Sequence, residues 1–167
     1  MTMDSVSDIR EAGIADVPVM VRIIRESFRE QAEMQGIAES EYPRYVAFTD
    51  EAAVLNSLEK GQHMALLYHG DEPVGSIWHT LDRDDPQLGH VSKLAVLPAC
   101  RGRSYGDMLF AYAETKLRAL GAQRAQLTCN ARLTGLHAYY ERLGYRKVKQ
   151  EPWPTLPFEV LTMEKEF

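Results

Sequence analysis

Residues 91–106 read VSKLAVLPACRGRSYG, and this stretch decides the predicted fold. Its first half is an apolar strand that stops at a proline, and its second half is a glycine-containing turn that leads into residues with helical spacing. The free N–H groups and the positive dipole end of a helix N-terminus bind phosphate groups. Arg101 and Arg103 add positive charge at the same place. The stretch therefore predicts a strand, a loop and a helix that together bind a pyrophosphate.

The spacing of this loop differs from two well-known nucleotide-binding motifs. A Walker-type loop needs GxxxxGK followed by Ser or Thr, and a dinucleotide fingerprint needs GxGxxG after the first strand of a βαβ unit. Here the spacing is RxxSxG, late in the chain and after a predicted hairpin. Taken alone, the loop is also compatible with a surface turn that binds nothing, because short glycine motifs have many false positives.

Hydrophobic periodicity outward from this unit predicts the element order β-α-α-β-β-β-α-β-α-β-β. The predicted strands cover residues 7–11, 63–69, 74–81, 88–97, 124–129, 147–150 and 158–167. The predicted helices cover 16–29, 50–58, 106–120 and 133–143, and residues 30–48 are expected to form a loop or a broken helix. This order predicts an α/β (α+β) fold in which about four helices flank a mixed, mainly antiparallel sheet of about seven strands.

The composition is that of one globular domain, expected to span 1–167, with 45% hydrophobic and 26% charged residues. A formal net charge of −5 argues against a nucleic-acid partner. No apolar stretch has the length of a membrane span, and the polar segment 1–8 is not expected to be a signal peptide. Cys100 and Cys129 form no CxxC pair, so we expect no metal site and a reduced, cytoplasmic protein.

A second motif strengthens the assignment of the loop. The run YYERLGY at 139–145 follows the predicted strand and helix that come after the loop. The two motifs and their separation resemble the GNAT superfamily of acetyl-CoA-dependent N-acetyltransferases. In that family the loop follows the pattern R/Q-x-x-G-x-G/A, in which x is any residue. The later signature follows the pattern F/L-Y-E-x-x-G-F/Y. The likeness covers 88–147 in detail and the chain from Ser7 onward in outline.

The resemblance implies an enzyme that moves the acetyl group of acetyl-CoA directly onto a primary amine. The acceptor could be a small molecule, a protein N-terminus or a lysine, and a homodimer stays open. Two other functions also stay open, namely an acyltransferase that uses a longer acyl-CoA and a non-catalytic CoA-binding or regulatory module. An amine panel with acetyl-CoA would separate catalysis from mere binding.

The resemblance also implies roles for individual residues. Backbone groups of two strand residues would pair with the pantetheine amides, and amides of 102–106 would hold the pyrophosphate. Tyr140 would lie near the acetyl sulfur as the general acid. The expected cofactor-binding residues are Leu94, Ala95, Val96, Arg101, Gly102, Arg103, Ser104, Tyr105 and Gly106.

Two positions depart from the family pattern. Ser104 stands where the family has the first loop glycine, and a positive φ would be awkward for serine there. Leu133 stands seven residues before Tyr140, where the family usually has asparagine. Asn130 or Arg132 could replace that asparagine.

The general base stays open. Family positions that often carry glutamate fall on Ser92 and Thr128, and neither side chain is a useful base. His90 and His79 lie on neighbouring predicted strands and titrate near neutral pH. His90 is slightly favoured because it precedes Leu94 by an even step, which places both side chains on one face of a regular strand. Deprotonation through a chain of waters is an alternative of at least equal weight.

Overall fold

A computed structural model describes residues 6–167, so most of the polar segment 1–8 lies outside the described residues. The strands are β1 Ser7–Ala12, β2 His63–His69, β3 Glu72–Leu81, β4 Leu88–Val96, β5 Arg124–Asn130, β6 Arg146–Pro152 and β7 Glu159–Glu166. The helices are α1 Val17–Met34, α2 Glu51–Glu59, α3 Tyr105–Ala119 and α4 Thr134–Arg142. None of these described helices is both long and apolar enough to span a bilayer.

The seven strands form one sheet in the order β1-β2-β3-β4-β5-β7-β6. Every neighbouring pair is antiparallel except β4 and β5, which run parallel. The predicted mixed, mainly antiparallel sheet of seven strands is therefore confirmed. The single parallel pair lies at the centre of the sheet, beside the loop that begins with Arg101.

The parallel pair separates soon after it forms. Residues Leu88, Gly89 and His90 of β4 pair with β5, and the ladder ends there. Farther along, β4 carries one extra residue relative to β3, and Lys93 takes a positive φ of 52° inside this bulge. The hydroxyl of Ser76 donates a hydrogen bond of 3.0 Å to the Lys93 carbonyl and holds the bulge. Beyond the bulge, β4 therefore has a free backbone edge on its β5 side.

The two faces of the sheet carry different helices. Alternate residues of β2 divide between them, because successive side chains of a strand point to opposite faces. Leu67 packs with α4 and with α3, and the α3 residues Leu109 and Phe110 are almost fully buried. Leu66 packs with α1 and α2, together with Met20. The expectation of helices on both faces is confirmed.

Helix α1 is longer than the predicted range 16–29 and continues through Met34. Its last turns are stabilised by contacts with residues that lie later in the chain, because Ala32 is buried against Tyr45 and Phe158. The Gln31 amide also donates a hydrogen bond of 2.6 Å to the Tyr45 hydroxyl. The predicted loop or broken helix is therefore wrong for the first part of residues 30–48, and tertiary packing is the reason.

We predict that Gly75→Ala destabilises the sheet beside the bulge. A Cβ at Gly75 would lie 2.9 Å from the Ala95 carbonyl oxygen and 3.2 Å from Leu109 Cδ1, and a backbone carbonyl cannot move aside easily. The free energy of unfolding in urea should fall by about 1–3 kcal/mol, as for other overpacked sites. Gly13→Ala is the control, since its Cβ meets nothing within 4 Å. Equal stability of the two variants would contradict the predicted clash.

Candidate active site

A cleft of about 1060 Å³ opens where β4 and β5 separate. Its walls come from α1, the end of β4, the loop before α3, the first turn of α3, and α4 with the loop before it. Every residue that the sequence assigns to cofactor binding lines this cleft, with the exception of Arg103. The lining residues from that set are Leu94, Ala95, Val96, Arg101, Gly102, Ser104, Tyr105 and Gly106.

The loop before α3 turns through two residues with positive φ. Gly102 has a φ of 81° and Ser104 a φ of 61°, so the left-handed conformation that is awkward for serine is present. A non-glycine residue in this region costs about 1 kcal/mol or more. Ser104 directly precedes the 15-residue helix α3, and its hydroxyl makes no capping hydrogen bond. The first backbone N–H groups of α3 have no acceptor within the helix, which is the arrangement that binds phosphate.

Arg101 anchors this loop to two other elements. Its Nε donates a hydrogen bond of 3.2 Å to the Val96 carbonyl oxygen, and its Nη2 donates one of 2.8 Å to the Ser27 carbonyl oxygen in α1. A guanidinium has five N–H donors, so some remain for a ligand. Arg103 is exposed and lies outside the cleft, which does not fit the expectation of two equivalent arginines beside the phosphates.

Two further arginines line the cleft, and only Arg132 could be suggested from the sequence. Arg142 lies over the Tyr139 ring, 5.5 Å from its centroid, and Arg132 donates a hydrogen bond of 3.0 Å to the Pro157 carbonyl oxygen. Asp107 is the only carboxylate among the described residues that line the cleft, and its Oδ1 accepts a hydrogen bond of 2.8 Å from Tyr139. Arginines therefore outnumber acids along the walls.

Tyr140 lines the cleft from α4 and is only 8% exposed. Burial, followed by the neighbouring Cys129 and Tyr139, raises the pKa of Tyr140 above its usual value. Its ring packs against Phe110, with 5.6 Å between centroids. The hydroxyl of Tyr140 is therefore protonated throughout the neutral pH range. Tyr139, the preceding residue of α4, is half-buried and also lines the cleft.

The structure does not bring His90 or His79 to the cleft. The even-step argument for His90 is wrong, because the extra residue at Lys93 reverses the alternation of β4 before Leu94. His90 Nε2 lies 2.7 Å from Asp82 Oδ1, in the loop that joins β3 to β4. His79 is buried and stacked on another imidazole, and burial lowers its pKa to about 4. Neither histidine is placed to take a proton from a substrate in the cleft.

Asn130 and Arg132 have different roles at the end of β5. The Asn130 carboxamide is used inside the protein: its oxygen accepts a hydrogen bond of 2.9 Å from the Arg132 backbone, and its nitrogen donates one of 3.2 Å to Gln35. Leu133 lines the cleft in the place where the family usually has asparagine. Of the two suggested replacements, only the Arg132 side chain faces the cleft.

The walls fit a ligand with amides and phosphates. The free edge of β4 offers backbone donors and acceptors to an amide, as a further strand would. Ser27, which lines the cleft, has a buried hydroxyl with no hydrogen-bond partner among residues 6–167. Burial raises the pKa of the Cys129 thiol to about 11, so this cysteine is not a reactive thiolate at neutral pH. The site thus fits coenzyme A, and Cys129, which is not among the residues that line the cleft, is not a candidate for a covalent nucleophile.

The splayed parallel pair, the glycine-containing loop before α3 and the buried tyrosine are the features expected of a coenzyme-A-dependent acyltransferase. The sequence model described as "Acetyltransferase (GNAT) family" matches residues 20–145, which is well over half of the chain. The protein belongs to this family.

Individual relatives agree with the family. An aminoalkylphosphonate N-acetyltransferase of Salmonella typhimurium is 33% identical over 108 residues, which cover 62% of this chain and 68% of that protein. A mycothiol acetyltransferase of Corynebacterium glutamicum is 33% identical over 86 residues, which cover 52% of this chain but only 29% of that protein. The PaiA N-acetyltransferase of Thermoplasma acidophilum, crystallised with coenzyme A, superposes with a TM-score of 0.78 at 16% identity, covering 97% of this chain and 99% of that one.

We predict that Gly106→Ala weakens CoA binding by displacing α4. A Cβ at Gly106 would lie 2.7 Å from the Tyr139 hydroxyl oxygen. Since overpacking costs about 1–3 kcal/mol, the affinity measured by calorimetry should fall about tenfold or more.

The double variant Gly106→Ala/Tyr139→Phe separates this clash from an obstruction of the phosphate. Removing the hydroxyl should return the affinity to within about threefold of Tyr139→Phe alone, because the atom in the way is gone. If the double variant binds CoA as weakly as Gly106→Ala, the new methyl group blocks the ligand directly and the clash is not the cause.

The two loop arginines should differ in their effect on CoA binding. Arg101→Ala removes the anchors to Val96 and Ser27, and hydrogen bonds from a charged donor are worth about 1.5–3 kcal/mol each. Its affinity for CoA should fall about tenfold or more, whereas Arg103→Ala should stay within about threefold. A larger loss for Arg103→Ala in the same calorimetric titration would show that Arg103 turns into the cleft when the ligand binds.

Proposed function

We propose that this protein transfers the acetyl group of acetyl-CoA directly to a primary amine. Acetyl-CoA is the co-substrate that supplies the acetyl group as a thioester. The observation that carries the proposal is the Tyr140 side chain, protonated at neutral pH and lining the cleft beside the free edge of β4. Direct transfer is favoured over a covalent route through Cys129, because burial keeps that thiol protonated and Cys129 is not among the residues that line the cleft.

The co-substrate would be held by backbone groups more than by side chains. Leu94 and Val96 would offer their amides and carbonyls to the pantetheine arm. The N–H groups of the loop 102–106 would hold the pyrophosphate, with Arg101 keeping the loop in place. Side chains that differ from the family pattern, such as Ser104, would not disturb this binding, because the backbone amide is still present.

The two proton transfers would use different partners. Tyr140 would donate its proton to the departing thiolate sulfur, as a general acid near the reacting bond. The acceptor ammonium would lose its proton to water in the open cleft. This route is favoured since His79 and His90 lie elsewhere and the Asp107 carboxylate is bonded to Tyr139.

The acceptor is proposed to be a small amine. The Salmonella typhimurium relative is named for aminoalkylphosphonate acceptors, and it matches this chain over about two thirds of its own length. A protein N-terminus or a lysine is the alternative within the same chemistry. Cys100 and Cys129 are both free, which supports a reducing, cytoplasmic location for the reaction.

A panel of amines with acetyl-CoA, read by release of the CoA thiol, tests the proposal. The panel should contain free amino acids, aminoalkylphosphonates, polyamines and short peptides. We expect thiol release that depends on at least one amine, and mass spectrometry should find that amine acetylated. Tight CoA binding without turnover on any amine would instead indicate a module that binds CoA and lacks catalysis.

Tyr140→Phe tests the role of the general acid. The substitution keeps the ring that packs on Phe110 and removes the proton, so stability and CoA affinity should change little. The maximal rate should fall by about 10²–10⁴, the usual contribution of general acid–base catalysis.

Tyr112→Phe is the matched control, because Tyr112 lies on α3 outside the cleft, and its rate should stay within a few-fold. Tyr139→Phe is a poorer control, since it releases the Asp107 carboxylate beside the loop. A Tyr140→Phe enzyme at full rate, under conditions in which chemistry limits turnover, would reduce Tyr140 to a packing residue.

A further inference from the structure

A second cavity of about 440 Å³ adjoins the end of β5. It is lined in part by the segment that joins β6 to β7, and most of its lining residues are apolar. Trp153, Leu156, Pro157 and Phe158 contribute to these walls, and the Trp153 side chain is 43% exposed, with aromatic surface available to a ligand. Nothing in the reaction proposed above uses this cavity.

Arg132 joins the two cavities, because it lines both the cleft that contains Tyr140 and the second cavity. Its position is fixed from two sides. The backbone N–H of Arg132 donates to Asn130 Oδ1 at 2.9 Å, and its Nη2 donates to the Pro157 carbonyl oxygen at 3.0 Å. Most of its N–H donors remain free, and no carboxylate is paired with it among the described residues.

The only acidic residue that lines the second cavity, among the residues described, is Glu159. Its Oε2 accepts a hydrogen bond of 2.6 Å from the Gln150 amide. Arg132, at the junction, is therefore the one cationic residue among the described residues that line this cavity, and most of the other lining residues are apolar. A ligand that uses all of these features carries an acidic group for Arg132, a hydrophobic group for the second cavity and an amine for the cleft. All three groups must be attached close to one another.

We propose that the acceptor is an α-amino acid with a large apolar side chain. Its carboxylate binds the free donors of Arg132, its side chain enters the second cavity against Trp153, and its amine points into the cleft toward Tyr140. A carboxylate is favoured over an amide at this place, because an ionised acid forms charge-assisted hydrogen bonds with the Arg132 guanidinium and a neutral amide does not. This inference rests on the proposed acetyl transfer and names the substrate class of the same site.

Three matched acceptors test the inference, namely phenylalanine, phenylalaninamide and phenethylamine. Phenylalanine should have the highest kcat/KM, and Arg132→Gln should lower that value about 10- to 100-fold, as expected for hydrogen bonds to a charged group. The same substitution should change kcat/KM for phenethylamine by less than about threefold. Trp153→Ala should lower kcat/KM for phenylalanine and leave that for glycine nearly unchanged.

Two controls distinguish carboxylate binding by Arg132 from a general effect of losing an arginine and from a loss of CoA binding. Arg146→Gln removes an exposed arginine of β6 outside both cavities and should leave all three acceptors unaffected. Calorimetric titration of Arg132→Gln with CoA should give the wild-type affinity, which also shows that the variant is folded.

Four results would overturn the inference. In the first, Arg132→Gln lowers activity equally on phenylalanine and phenethylamine. In the second, it weakens CoA binding, which would assign Arg132 to the cofactor phosphates. In the third, other amines are acetylated and phenylalanine is not. In the fourth, no amine is acetylated although CoA binds, and this result alone would also overturn the proposed function.

Discussion

The parting of β4 from β5 is the structural feature on which the site depends. Two parallel strands would normally continue their ladder to the ends, but here one extra residue at Lys93 bends β4 away after His90. The left-handed conformation of Lys93 is stabilised by the Ser76 hydroxyl, and the Lys93 ammonium lies 5.7 Å from the centroid of the Trp78 ring. Lys93 is partly buried, and this burial lowers the pKa of its ammonium group. The result is a free backbone edge in the middle of the sheet, where a ligand can pair as a strand would.

The remaining parts of the site are arranged around this edge. The loop after β4 is fixed by Arg101, which bridges β4 and α1, and it ends in the strained Ser104 at the start of α3. Helix α4 closes the other side and brings Tyr140 against the cleft, with its ring in an aromatic cluster around Phe110. The proposed phosphate binding and proton donation would therefore depend on elements that meet where β5 leaves β4.

Much of this could be predicted from the sequence, and the failures have physical causes. Alternation and helical spacing predicted the seven strands and the four α-helices described above, apart from the last turns of α1, and the loop and the YYERLGY run predicted part of the cleft lining. The bulge could not be predicted, because nothing in local propensity favours a positive φ at a lysine, and its effect was to misplace His90. The anchoring of Arg101 to Ser27 joins residues far apart in the chain, and the last turns of α1 depend on Phe158. These contacts exist only in the folded protein, so patterns within a short window cannot reveal them.

Hydrogen–deuterium exchange with and without saturating CoA tests the central claim, that the free edge of β4 and the following loop bind the co-substrate. Peptides that cover residues 94–106 should exchange more slowly when CoA is bound, because their amides become donors to the ligand. Peptides that cover β6, at the far edge of the sheet, should be unchanged. Unchanged exchange in 94–106 at a CoA concentration that saturates binding would contradict the account, since the ligand would then bind elsewhere on the protein.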